Sequence, residues 1–265
     1  MNSPARSIPS LVLVTGASGG IGAELAAEYA RRGHDLVLTA RSRRALDAVA
    51  ETLRASYGVR IDVLPEDLAD AAGAARVAAH VLAEDRPLAA VVNNAGYGLY
   101  GDFSESDLDD TLRMMRLNME APVVLTRRLL PRLRATRGHV LNVASTAAFQ
   151  PGPTMAVYYA TKAFLLSWSE ALAEELAGSG ITVTALCPGP TASGFQERAD
   201  MRDSALVKGR RLPTAAAVAA FGARATFRGR RLAIHGVMNW AMAQSVRFTP
   251  RRVVTALVAY WSRRR

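Results

Sequence analysis

Ser145, Tyr158 and Lys162 put a hydroxyl, a phenol and an ammonium close together in the chain. Tyr158 and Lys162 are four residues apart, and on a helix positions i and i+4 share one face, so the ammonium can lie beside the phenol. A nearby cation in a desolvated site is expected to favour the phenolate and to lower a pKa of about 10 in water. Such a tyrosine can exchange a proton with a reacting oxygen. Tyrosine and lysine at this spacing are common, and alone the pair means little. Here, however, Lys162 and Lys208 are the only lysines among 33 basic side chains. Where arginine serves everywhere else, a lysine signals a need for a compact ammonium with mobile donors. Tyr159, three residues from Lys162, is read as a packing neighbour.

Nearer the N-terminus, residues 15–22 read TGASGGIG. Glycines there let the backbone turn tightly and approach a pyrophosphate, whose charge meets free N–H groups and the positive end of the following helix. Gly16, Ser18, Gly20, Ile21 and Gly22 are therefore candidate dinucleotide-binding residues, with a purely structural turn as the alternative. At the end of the next apolar run a carboxylate would accept from an adenosine ribose; this chain has Arg41 and Ser42, a cation and a hydroxyl that suit a 2′-phosphate. NADP(H) is expected ahead of NAD(H), unless Arg41 only begins a solvated basic face with Arg43 and Arg44.

These groups need a scaffold that gathers them. From residue 10 onward, short β-branched runs alternate with amphipathic segments, the pattern of repeated βα units. It predicts strands at 11–15, 35–40, 60–64, 89–93, 139–143 and 182–187, and helices at 20–32, 43–57, 71–84, 107–136 and 154–177. The implied fold is α/β, a doubly wound parallel sheet of Rossmann-like type in a single domain. Residues 8–195 would form the dinucleotide-binding and catalytic core, and 196–265 a substrate lid and basic helical C-terminal extension. Within the latter, a helix is expected from Pro213 and Thr214 to about Arg228, then a short seventh strand at 231–235 and helix beyond.

Of the 265 residues 50% are apolar and 21% charged, enough for a full core and too little charge for disorder. The single cysteine, Cys187, excludes a disulfide framework and a cysteine-based zinc cluster. It reads as a small apolar strand residue. Histidines 34, 80, 139 and 235 lack ligand spacing, so no metal site is expected. With no export signal and no apolar run near the roughly 20 residues of a membrane span, a cytoplasmic protein is expected.

Together these motifs resemble the short-chain dehydrogenase/reductase family over roughly residues 8–195. The matching pieces are TGASGGIG, Asp67-Leu68, Asn93-Asn94-Ala95-Gly96, Asn118 in RLNMEAP, Ser145, the Tyr158/Lys162 pair and Pro188-Gly189-Pro190-Thr191. The resemblance implies an oxidoreductase that interconverts a carbonyl and an alcohol with a nicotinamide dinucleotide. It implies that Tyr158 protonates the carbonyl oxygen, Ser145 hydrogen-bonds that oxygen, Lys162 holds the nicotinamide ribose and lowers the phenol pKa, and Asn118 anchors a proton-relaying water. Asp67 and Leu68 would contact the adenine, Asn94 and Gly96 the ribose side, and Pro188, Gly189 and Thr191 the nicotinamide amide. Read from the residues alone, Asn93 could instead tie strand ends together, and Asn118 could be a helix asparagine bonding backbone. A homodimer through the two long helices around Ser145 is also implied, whereas the glycine-rich ending that builds the family's usual tetramer is replaced here.

Charge divides the chain unevenly. Residues 204–265 hold 13 basic side chains and no acidic one, although the whole chain is only +10. Such a block suggests a polyanion or an anionic lipid surface as partner. Val253, Leu257 and Trp261 fall on one helical stripe with arginines at both ends, the composition of a segment lying on an anionic membrane. The alternative is a stripe packed on the sheet or on a second subunit. No nucleic-acid motif is present, so nucleic acid is not the expected partner. Phe195, Met201, Phe221, Met238, Trp240 and Met242 are read as lid residues that lean toward a lipophilic substrate. A cofactor-binding regulatory protein without turnover is a further alternative, which the complete Asn118/Ser145/Tyr158/Lys162 set argues against.

Overall fold

Residues 9–195 and 212–262 are described by the computed structural model. Within them the apolar runs become β1 (Leu11–Thr15), β2 (Asp35–Ala40), β3 (Ile61–Pro65), β4 (Leu88–Asn93), β5 (His139–Val143), β6 (Thr182–Cys187) and β7 (Leu232–Ile234). They form one sheet in the order β3-β2-β1-β4-β5-β6-β7, with every neighbouring pair parallel. Both faces of this sheet are covered, which is why β1 reads as a continuous apolar LVLVT instead of alternating.

Successive strand residues point to opposite faces and feed two cores. On one face α1 (Gly20–Ala30), α2 (Arg43–Tyr57) and α7 (Ala215–Phe227) bring Leu25, Leu46 and Val218 against Val12, Val14, Leu36 and Leu38. On the other, α3 (Gly73–Leu82), α5 (Ala121–Thr136) and α6 (Ala156–Glu175) bring Val77, Leu125, Leu129 and Ala173 against Leu11, Leu13, Val37 and Val91. The strand order reverses between β1 and β4, so the crossovers diverge there and a crevice opens at the C-terminal strand ends.

The predicted helix 107–136 is not one helix. It divides into α4 (Leu108–Met115), a π-helical segment over Arg116–Glu120, and α5, and the Ala121 N–H bonds the Arg116 carbonyl five residues back. One wide turn leaves the apolar positions on either side periodic, so pattern reading passes over it. Asn118 stands inside that turn.

Beyond β7 come α8 (Val237–Ser245), a 3₁₀ turn at Val246–Phe248, and α9 (Arg251–Ser262). The buried stripe of α9 is Val254, Val258 and Ser262, whereas the predicted stripe of Val253, Leu257 and Trp261 faces outward. Met201 and Lys208 lie outside the described residues. Among the described residues no helix is long and apolar enough to cross a membrane.

Candidate active site

A cleft of about 1140 Å³ runs along the C-terminal ends of the strands. Gly16, Ser18, Gly20, Ile21, Gly22, Arg41, Ser42, Asp67, Leu68, Asn94, Gly96, Ser145, Tyr158, Lys162, Pro188, Gly189 and Thr191 all line it. Asn118 does not; it sits one layer behind.

The glycine turn divides its tasks. Gly16 adopts φ +65°, and a Cβ there would come 2.8 Å from the Asn94 amide nitrogen; at Gly22 a Cβ would stand 2.2 Å from the Gly16 carbonyl oxygen. These two close the turn on itself. Gly19, which sequence reasoning passed over, faces open space, and no side chain caps the start of α1. The first N–H groups of α1 therefore border the cleft without side-chain partners, a cradle that suits a pyrophosphate. Asn94 holds the turn to β4, its Nδ2 donating to the Thr15 carbonyl at 2.9 Å and the Gly16 carbonyl at 3.2 Å. Asn93 ties strand ends together: its Nδ2 donates to Asn142 at 2.8 Å and Thr126 at 3.1 Å.

At the β2 and β3 end, Arg41 is exposed and Ser42 caps α2, its hydroxyl accepting from the Ala45 N–H at 3.3 Å. Asp67 accepts from the Ala69 N–H at 2.9 Å and pairs with Arg113 of α4 at 2.7 Å. Partial burial would raise the Asp67 carboxyl, but the Ala69 bond and the charges of Arg113 and Arg41 outweigh it and hold the group below its usual value. Arg113 also lines the cleft. Its partner lies 46 residues away, a pairing that no local pattern announces.

Near β5, the Ser145 hydroxyl accepts from the Ala147 N–H at 3.1 Å and caps a short 3₁₀ turn, which aims it into the cleft. Tyr158 and Lys162 are both buried on α6. Lys162 Nζ donates to the Val143 carbonyl at 2.8 Å and lies 5.8 Å from the centre of the Tyr158 ring. The expected lowering of the phenol pKa is corrected by this geometry: burial pushes Tyr158 well up, and the Ser145 hydroxyl beside it pulls only part of the way back. Burial also lowers the Lys162 ammonium to about 8. Desolvation disfavours both charged forms, the phenolate as well as the ammonium, so for tyrosine it opposes the cation instead of helping it.

Tyr159 lies against Gly152, where a Cβ would stand 2.3 Å from its ring, and does not line the cleft. Asn118 donates to the Tyr97 carbonyl at 2.9 Å and to Thr161 Oγ1 at 3.0 Å, and accepts from the Tyr97 N–H at 3.2 Å. Thr161 in turn donates to the Tyr158 carbonyl at 2.7 Å. Gly96 makes room for this arrangement, since a Cβ there would come 2.9 Å from Asn118 Oδ1 and 3.5 Å from Lys162 Nζ.

The cleft turns apolar beside Tyr158, where Leu99, Met155 and Phe195 join it in one cluster and the Phe195 ring lies 5.4 Å from that of Tyr158. Of the other residues read as lid, Phe221 packs against the sheet core, and Met238, Trp240 and Met242 are exposed outside the cleft. Cys187 is buried, which pushes its thiol up to about 12 and leaves it inert. Asp62, His80 and Glu84 converge elsewhere, but the Arg86 guanidinium already pairs with Asp62 and Glu84.

The model of the short chain dehydrogenase family matches residues 10–203. The 11-beta-hydroxysteroid dehydrogenase 1A of Arabidopsis thaliana is 36% identical over 180 residues, 68% of this chain and 51% of that protein. The chain thus spans about half the length of the curated relatives it matches. Among solved structures, a short-chain dehydrogenase from Sphingobium yanoikuyae in complex with NADPH is 34% identical, with 90% of this chain and 94% of that one covered at a TM-score of 0.81. A short chain dehydrogenase/reductase from Burkholderia phymatum in complex with NAD is 25% identical, with 89% and 92% covered at 0.80. Glycine cradle, Ser/Tyr/Lys cleft, strand order and these similarities agree: the chain belongs to the short-chain dehydrogenase/reductase family of nicotinamide-dependent oxidoreductases.

Proposed function

We propose that the protein is an NADP(H)-dependent oxidoreductase that interconverts a carbonyl and an alcohol on a lipophilic substrate. The observation that carries this reading is the buried phenol of Tyr158, flanked by Ser145 and Lys162 where the cleft turns apolar. The dinucleotide supplies the hydride. Burial keeps the Tyr158 phenol protonated through neutral pH, so it can donate a proton to a carbonyl oxygen. Ser145 donates to the same oxygen and fixes its position. Lys162 holds the nicotinamide ribose, and Asn118 is a positioning residue that acts through Thr161.

For the dinucleotide, the start of α1 holds the pyrophosphate, Asp67 and Leu68 the adenine, Asn94 and Gly96 the ribose side, and Pro188, Gly189 and Thr191 the nicotinamide amide. Arg41 and Ser42 favour a 2′-phosphate and so NADP(H); the solved relatives carry either NADPH or NAD. Leu99, Met155 and Phe195 support a lipophilic substrate, as does the name of the plant hydroxysteroid dehydrogenase. Phe164, exposed on α6 and stacked with Trp168, supports a dimer through α5 and α6. The lone buried Cys187 suits a reducing, cytoplasmic setting.

A panel of aldehydes and ketones of increasing apolar size, followed by loss of NADPH absorbance, tests the proposal. Turnover should rise with apolar size and be faster with NADPH than with NADH. NADPH binding without oxidation by any member of the panel would overturn it in favour of a regulatory binder.

A further inference from the structure

The face made by α8 and α9 reverses the usual order of a surface. Val237 and Phe248 are 85% and 87% exposed, Met238 is 73% exposed, and Trp240, Val253 and Leu257 lie open as well. So many large apolar side chains exposed within residues 237–257 mark an interaction surface rather than chance scatter. Among the described residues, the basic side chains of this region fall in two places. Arg228, Arg230 and Arg231 sit in the turn before β7 at the opposite edge of the sheet, where Arg231 pairs with Glu174 at 2.5 Å. Arg247, Arg251 and Arg252 remain exposed beside the apolar residues of α8 and α9, and no acidic residue follows Asp203.

We infer that the outward face of α8 and α9 docks onto an anionic lipid surface. Apolar side chains enter the interface while arginines meet the headgroups, and both parts are needed because either alone binds weakly. The nearby segment 102–110 exposes Phe103 and Leu108 but carries five acidic side chains, so it stays outside the contact. The position of the face gives the contact a use. The inner residues Val254 and Val258 share an apolar cluster with Met155 and Tyr158, and Tyr100 Oη donates to the Ser262 carbonyl at 2.5 Å. On α8, Asn239 lies against Gly189 at the cleft rim, where a Cβ would come 2.5 Å from its amide nitrogen. Docking thus sets the apolar end of the cleft close to the lipid, where a lipophilic compound is concentrated.

The test uses the full chain and sucrose-loaded vesicles of phosphatidylcholine alone or with about 30% phosphatidylserine. Wild type should sediment at least about tenfold more with the anionic vesicles, and the difference should shrink in about 0.5 M salt. Val237→Glu/Phe248→Glu and, separately, Arg247→Gln/Arg251→Gln/Arg252→Gln should each lose most of this binding while retaining NADPH binding, which reports an intact cleft. Equal failure with both vesicle types at low salt overturns the inference. So does sedimentation velocity showing a wild-type oligomer that Val237→Glu/Phe248→Glu dissociates, because a second copy would then cover the face. Loss of vesicle binding to a modest excess of duplex DNA would likewise assign the arginines to nucleic acid.

Discussion

Replacing Tyr158 by Phe keeps the ring in its cluster with Met155 and Phe195 and removes only the hydroxyl proposed as proton donor. Carbonyl reduction should fall about 10²–10⁴-fold with the Kd for NADPH nearly unchanged, and a variant keeping more than about a tenth of wild-type turnover would remove Tyr158 from the role. Lys162 adds a pH dependence. Burial brings its ammonium down from 10.5 to about 8, so the charged donor is present below about 8 and lost above it. The Kd for NADPH should therefore rise as pH climbs past about 8, and Lys162→Met should flatten that rise. The same shift sets a stability trend: between about 8 and 10.5 the unfolded chain holds a proton that the folded chain has released, so the lysine's contribution to stability rises with pH across that window. At the other end of the cleft, Arg41→Asp replaces the proposed 2′-phosphate partner by a carboxylate suited to a ribose. Steady-state kinetics should show the NADPH to NADH preference reduced or inverted; an unchanged ratio would leave Arg41 as a solvated surface residue.

The widened turn at Arg116–Glu120 and the start of α6 form a unit through Asn118, Thr161 and the Tyr158 carbonyl. Thr161→Val keeps the volume but takes away the acceptor of the Asn118 amide and the donor to Tyr158. A small displacement at a reacting centre costs about 10²-fold in rate, so kcat should drop by up to that amount with NADPH Kd unchanged, and Thr161→Ser should restore it. A loss of thermal stability without a kcat effect would make the link merely structural. Tyr158 and Lys162 were legible in the sequence because their relation is local, four residues along one helix. The strands were legible because two covered faces demand unbroken apolar runs. The π segment, the Arg113 partner of Asp67 and the outward stripe of α9 were not, and for physical reasons. One wide turn leaves the periodicity intact, an ion pair across 46 residues has no local trace, and a helix apolar on both sides does not announce which side is covered.

A parallel sheet gathers all C-terminal strand ends at one edge and all N-terminal ends at the other, and this chain puts each edge to a different use. The cleft lies at the first edge. At the second, Asp35 opens β2 with 2% of its surface exposed, Asp62 follows at the start of β3, and Arg86 precedes β4. The Arg86 guanidinium donates to Asp35 at 3.3 Å, to Glu84 at 2.6 Å and to Asp62, clamping the entrances of β2, β3 and β4, the last of which is separated from the other two by β1 in the sheet. Arg86→Met would fill much of the same volume but leave the Asp35 carboxylate with Arg60 alone, at 3.0 Å. Stripping one partner from a buried pair costs about 3–5 kcal/mol; with Arg60 still in place the lower end applies, about 3 kcal/mol. For a chain of this size that corresponds to a fall in Tm of about 6–12 °C. Because the clamp and the cleft stand at opposite edges, kcat/KM measured well below the new Tm should be unchanged. Asp35→Asn added to Arg86→Met should recover part of the lost Tm, since the orphaned charge is then gone. A calorimetric Tm that does not move, or a kcat/KM that falls in step with it, would show that the two edges are not energetically separate.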